Sequence, residues 1–216
     1  MTTKELLEII AERYPLSPKD AGEFKTLTVN GMTFEISPYY AAGLGHVSLM
    51  HGAASFAPMA VDTLIVAPYE KELPLLSYDR ISAMGTDTLF VEFYDTLTAP
   101  CDMSSVETAR DSGRALPDHD PGAHWYDSIR LKESLFKKAG ADQTPALDEL
   151  AKAVFRAYAL IPAPAPASLA EKRRKTADYV SALLSHGGPS TDPFIKQLGE
   201  AKTRDLYTKV LFGTEE

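Results

Sequence analysis

The chain has 216 residues, 44% of them hydrophobic and 24% charged, with a formal net charge of −8 and a single cysteine. That length and balance suit one soluble, well-filled core, and the acidic excess argues against a nucleic-acid binder, which must neutralise phosphates with Lys and Arg. The lone Cys101 excludes an intramolecular disulfide framework and any thiolate-rich metal site within one chain.

The opening "MTTKELLEIIAERYP" places Leu6, Leu7, Ile9 and Ile10 on one helical stripe that "YPLSP" ends, because proline cannot continue a helix. Its acidic residues sit where a secretory signal needs an uncharged apolar stretch, and no apolar run reaches bilayer length, so a cytoplasmic protein with no membrane partner is expected. "FKTLTVNGMTFEISPYY" alternates apolar and polar residues around Asn30-Gly31, the pair best suited to a two-residue hairpin turn. Strand character continues through 45–56, 59–68 and the pair "LPLLSYDRISAM" and "DTLFVEFYD", which turn near Gly85. Connections this short make the strands antiparallel, in a sheet of about six.

Residues 96–124 are polar and rich in Pro, Gly and Asp, and read as a long loop or lid. Helical periodicity follows at 125–139, 145–160 and 168–185, with a last pair in "DPFIKQLGEAKTRDLYTKVLFG", while "IPAPAPAS" reads as a stiff extended linker. Strands first and helices afterwards predict an α+β fold in one domain over 1–216: N-terminal helix and sheet to 95, loop to 124, helical half from 125.

The chain has no phosphate loop, no G-x-G-x-x-G, no H-E-x-x-H and no G-x-S-x-G, which removes most support for nucleotide, zinc-peptidase and serine-hydrolase readings. The five histidines, His46, His51, His119, His124 and His186, have no metal-pair spacing. "DHDPGAH" offers Asp118, His119, Asp120 and His124, but such a composition in a loop is more often solvated than ligating, and no metal is expected. Lys172, Arg173, Arg174 and Lys175 form a basic run on a helix, read as a solvated face or as a docking patch for an acidic partner.

Side-chain alternation puts Ser77, Asp79 and Ile81 on one face of their strand and Leu76, Tyr78 and Arg80 on the other. Phe90, Glu92 and Tyr94 share a face of the next strand, and Asp62, Leu64 and Val66 a face of the preceding one. If helices cover both faces, some of Asp62, Asp79 and Glu92 are partly buried, and burial raises a carboxyl pKa toward the range of a proton donor.

"VAPYEKELPLLSYDRISA", residues 66–83, resembles the signature of the ferredoxin-dependent bilin reductases, in which a Pro-containing segment leads to L-P, a short apolar stretch and an Asp at the centre of the sheet. "FIKQLGEAKTRDLYTKVLFG" is similar to that family's closing helix, in the right order and distance. The wider family includes red chlorophyll catabolite reductase, a more divergent relative. The resemblance implies a three-layer α/β/α sandwich with the antiparallel sheet at its centre. An open-chain tetrapyrrole lies between sheet and C-terminal helices, single electrons come from ferredoxin with no flavin, nicotinamide or metal bound, and protein carboxyl groups supply protons.

By position Asp79 matches the family's central proton-donating Asp. The family's catalytic histidine falls at Thr63, or at Asp62 with a one-residue shift, and its upstream glutamate near His51. His51 and Asp62 are therefore expected to assist Asp79, with Thr63, Ser77 and Glu92 lining the ligand and the basic run 172–175 docking ferredoxin. The other reading is a tetrapyrrole carrier or chaperone of the same fold without redox activity.

Overall fold

β-Branched and aromatic residues recur along the extended segments of the chain. In the computed structural model, which describes residues 3–215, they form one antiparallel sheet of eight strands. The strands are β1 (Leu16–Pro18), β2 (Thr26–Val29), β3 (Met32–Ala41), β4 (Gly45–Ala54), β5 (Met59–Ala67), β6 (Leu75–Ala83), β7 (Thr86–Tyr94) and β8 (Leu135–Gly140). From β3 to β8 each strand lies beside its predecessor in sequence, while β1 and β2 both pair with the outer side of β3. The β2–β3 and β6–β7 hairpins turn on Asn30-Gly31 and Met84-Gly85, all four with positive φ, the geometry whose twist matches that of the flanking strands.

The helices are α1 (Thr3–Arg13), α2 (Ser104–Asp111), α3 (Thr144–Ala159), α4 (Leu169–His186), α5 (Asp192–Leu198) and α6 (Glu200–Asp205), the last running into a π-helical stretch at Leu206–Leu211. Two cores result. Leu64, Val66, Leu76, Tyr78, Leu89, Val91 and Phe93 pack with α1, α2 and α3 on one face of the sheet. Phe34, Ile36, Met50, Ile65, Leu75 and Tyr94 pack with α4, α5 and the C-terminal segment on the other. Burying each such side chain contributes about 1.5–3 kcal/mol. Among the described residues no helix is long and apolar enough to cross a membrane.

Two expectations need correction. The sheet has eight strands rather than about six, because Leu16–Pro18, read only as the stop of the first helix, pairs with β3 as β1, and residues 135–140, placed mostly in a helix by their periodicity, form β8. The open edge of β7 supplies a hydrogen-bonding partner from Thr86 to Val91, and that pairing overrides the weak helical period of "WYDSIRLKESLFKKA". The stretch 96–124 is likewise not all loop, since α2 lies within it and packs against α3.

Arg80, only 5% exposed, points into the α3 side of the sheet. Its guanidinium donates to Asp148 of α3 and to Asp87 Oδ2 at 2.7 Å, and Asp87 also accepts from Ser82 and Thr144. Burial pushes the Asp87 carboxyl up, but the bonds from Arg80, Ser82 and Thr144 outweigh it and hold it at about 2. Arg80→Met would leave two buried carboxylates without their cation, so urea unfolding at pH 7 is expected to show a loss of about 3–5 kcal/mol.

Candidate functional site

The register of β5, β6 and β7 decides which acids meet. Thr63 lies opposite Asp79, Asp79 opposite Phe90, and Ser77 opposite Glu92, all on the face covered by α4 and the C-terminal segment. Thr63 Oγ1 donates to Asp79 Oδ1 at 2.5 Å and Ser77 Oγ to Asp79 Oδ2 at 3.3 Å. Phe90 and Phe136 of β8 extend the floor beyond Asp79. Opposite the floor stand Trp125 and Tyr126 from the segment before β8, Tyr179 of α4, and Tyr207 and Phe212 of the C-terminal segment.

The electrostatics follow from that enclosure. Burial pushes the Asp79 carboxyl up, and the hydroxyls of Thr63 and Ser77 only partly offset it. Burial, then the charge of Asp79, push Glu92 up to about 7, against the opposing pull of Tyr94 and Arg130. Arg130 Nη1 reaches Glu92 Oε1 at 3.4 Å. Both carboxyls therefore favour the protonated form more than an exposed carboxylate does, and Glu92 exchanges its proton near neutral pH. Burial also raises the hydroxyls of Tyr94, Tyr126, Tyr179 and Tyr207, which therefore stay neutral and able to donate hydrogen bonds.

Asp79, Thr63, Ser77 and Glu92 are thus brought together on one face of the sheet. His51 and Asp62 are not. They pair with each other, Nδ1 to Oδ1 at 2.7 Å, in the cross-strand row that also holds Arg80, on the opposite face from Asp79. Their side chains are 50% and 21% exposed there, so the sheet itself separates this pair from Asp79 and it does not assist that carboxyl. Of Asp62 and Thr63, Thr63 is the one that faces Asp79.

The docking expectation for the basic run also needs correction. Lys172 is fully buried, donating to the carbonyls of Leu73 and Thr96 (3.1 Å) and lying 3.6 Å from Glu72. Its burial pulls the amine down to about 8 despite Glu72. Arg173 stacks on Tyr69 at 4.6 Å, Lys175 donates to Leu97 O, and only Arg174 is exposed, paired with Asp178. The run secures α4 to its neighbours instead of presenting a charged patch.

"DHDPGAH" is dispersed as well. Asp118 holds Lys137, His119 meets the edge of Phe90, Asp120 caps Gly122, and His124 stacks on Tyr126. Among the described residues no group of three or more His, Cys, Asp and Glu could hold a metal ion. Two surface clefts, one walled by Tyr14, Glu70 and Leu169 and one by Arg110, His119 and Phe136, contain neither Asp79 nor Glu92. Neighbouring carboxyls that burial pushes above the ordinary range mark a reactive site better than a shallow cleft does, so the Asp79 face is the candidate.

Among solved structures, phytochromobilin synthase from tomato, crystallised in complex with biliverdin, superposes with a TM-score of 0.76 over 98% of this chain and 82% of that one, at 13% sequence identity. The fold is shared. No protein-family model and no curated protein matches the sequence. The resemblance carried by residues 66–83 and 194–213 therefore leads to the fold of a bilin-binding enzyme, and that fold is the one found.

Arg130, Tyr94, Trp125, Tyr126 and Tyr179 did not stand out in the sequence. Arg130 lay in the stretch that read as a helix, and the aromatics come from three separate segments that only the tertiary fold assembles.

For Glu92 the sign of the pH effect is fixed. A carboxyl at about 7 when folded and 4.5 when unfolded binds more protons in the folded state between those values, so its contribution to stability falls as pH rises through that window. Glu92→Gln abolishes this slope. Urea titrations at pH 4.5 and pH 8 should show the variant gaining on the wild type at the higher pH, by on the order of 3 kcal/mol at most.

Proposed function

We propose that the chain binds an open-chain tetrapyrrole against the Asp79 face of the sheet and reduces it with electrons from ferredoxin, Asp79 supplying a proton. The observation that carries this reading is the enclosed Asp79–Glu92 pair on the sheet face beneath α4 and the C-terminal segment, in a fold shared with an enzyme that binds biliverdin.

The chemistry fits the parts. A linear tetrapyrrole is a long conjugated strip with nitrogens and carbonyls along it, and a single added electron makes those positions basic. An acid held within reach, its protonated form favoured by burial, can complete the reduction at that moment. The aromatic side chains Phe90, Phe136, Trp125 and Tyr126 offer flat apolar surface for the pyrrole rings, and Thr63 and Ser77 keep the Asp79 carboxyl oriented. Glu92 lines the ligand beside them. Burying the reacting strip in this setting excludes water that would otherwise compete for protons.

One observation favours a second reading, a non-catalytic carrier. The resemblance leads to a histidine at Thr63 or Asp62 and neither is one, and the Thr63 hydroxyl can orient Asp79 but cannot shuttle a proton at neutral pH.

Both readings expect a red-shifted or broadened biliverdin band on mixing with the protein. Under anaerobic conditions with reduced ferredoxin, the reductase reading expects that band to bleach. Asp79→Asn should keep binding and lose turnover by about 10²–10⁴-fold, the range of a general acid. A bound band that never bleaches selects the carrier, and no spectral change with any linear tetrapyrrole rejects both.

A further inference from the structure

We propose that Arg130 receives a carboxylate of the ligand, and that Glu92, released by Arg130, takes up a proton and becomes a second acid beside Asp79. The proposal rests on the reading of this face as a tetrapyrrole site and specifies how a ligand would arm it.

The Arg130 backbone is fixed. It bridges to Tyr94, and the residues on either side bond to β7 and its exit, Leu131 N to Phe93 O at 2.8 Å and Asp95 N to Ile129 O at 2.7 Å. Its side chain is held mainly by flat contacts, 4.9 Å from the Phe136 ring centroid and 5.8 Å from that of Tyr126. The polar contacts are unequal. Nη2 meets Asp127, 41% exposed, at 2.9 Å, whereas Nη1 meets the buried Glu92 only at 3.4 Å. A guanidinium so arranged retains donor capacity for an incoming carboxylate, which it can bind through two parallel N–H bonds.

Drawing that guanidinium off Glu92 changes the balance around the carboxyl. The groups facing Glu92 are Asp79 from β6, Tyr94 from its own strand, Tyr126 and Arg130 from the segment before β8, and Tyr179 from α4. Arg130 is the cation of that set; the others are an acid that repels a second negative charge and hydroxyls that stay neutral. With Arg130 bound to the ligand, the protonated form of Glu92 is favoured. The proton comes from solvent, one per ligand bound, and no bond of the ligand is made or broken in the step. The free protein would then keep Glu92 largely ionised above neutral pH and protonate it only when the substrate arrives.

The test is calorimetric binding of biliverdin and of biliverdin dimethyl ester at pH 8, in two buffers of different ionisation enthalpy. The wild type is expected to bind the diacid at least about tenfold more tightly than the diester, and to take up close to one proton with the diacid alone. Glu92→Gln should keep the preference and lose the proton uptake. Arg130→Gln should lose the preference, and Arg130→Lys should restore part of it. Equal affinity of the wild type for the two bilins, a preference that survives Arg130→Gln, or proton uptake that survives Glu92→Gln would each overturn the proposal while leaving the tetrapyrrole reading standing. A wild-type protein that binds neither bilin overturns that reading and this proposal with it. Should Arg130→Gln fail to fold, the wild-type comparison and the Glu92→Gln proton count decide the matter without it.

Discussion

Side-chain alternation along β5, β6 and β7 divides the acids of the sheet into two kinds, and the rest of the molecule is arranged around that division. Asp87, on the α3 side, is given a buried cation, Arg80, and two hydroxyls, so it stays ionised. Asp79 and Glu92, on the α4 side, receive hydroxyls and each other, with one distant guanidinium between them and full neutralisation. The first arrangement holds α3 to the sheet. The second leaves charge uncompensated in an enclosed place, which costs stability and pushes both carboxyls above the ordinary carboxylate range. A fold that neutralises Asp87 so completely and leaves Asp79 without a cation has separated a charge-paired cluster from one whose carboxyls favour the protonated form.

That division was only partly legible in the sequence. The parity of Ser77 and Asp79, and of Glu92 with Tyr94, follows from strand geometry alone, and the Asn30-Gly31 turn marks its hairpin by φ preference. Register between strands is a different matter, because it depends on where each turn closes. Parity could not say whether Asp62 or Thr63 faces Asp79; the β5–β6 pairing does, and it sends Asp62 and His51 to the far side. The strand β8 escaped for a related reason, since its partner edge on β7 lies more than 40 residues earlier in the chain. Lys172 illustrates the opposite failure. A lysine within a basic run reads as surface, yet here the carbonyls of Leu73 and Thr96 and the carboxylate of Glu72 are gathered around it from distant loops, and no local pattern announces them.

The α4 side also explains the unusual end of the chain. After α6 the backbone widens into a π-helix, closed by Phe212 N to Tyr207 O at 2.9 Å, and its last carbonyls are left without helical partners. Side chains from elsewhere take them in order. His46 Nε2 donates to Val210 O at 2.9 Å, Ser48 to Leu211 O at 2.7 Å, Tyr69 to Phe212 O at 2.5 Å, and Arg173 of α4 to Gly213 O at 3.3 Å. Burial brings His46 down to about 4, so at neutral pH it is an uncharged donor. Gly213, at φ +60°, passes so close that a Cβ there would lie 2.5 Å from the His46 ring, which leaves room for no other residue. Four consecutive carbonyls bound to β4, α4 and the turn after β5 fix this segment laterally as well as in height. Tyr207 and Phe212 are thereby held over the sheet by bonds that do not involve Asp79 or Glu92. The carboxyl pair can then change protonation without loosening the cover that perturbs it, as the proposed proton-donating role requires.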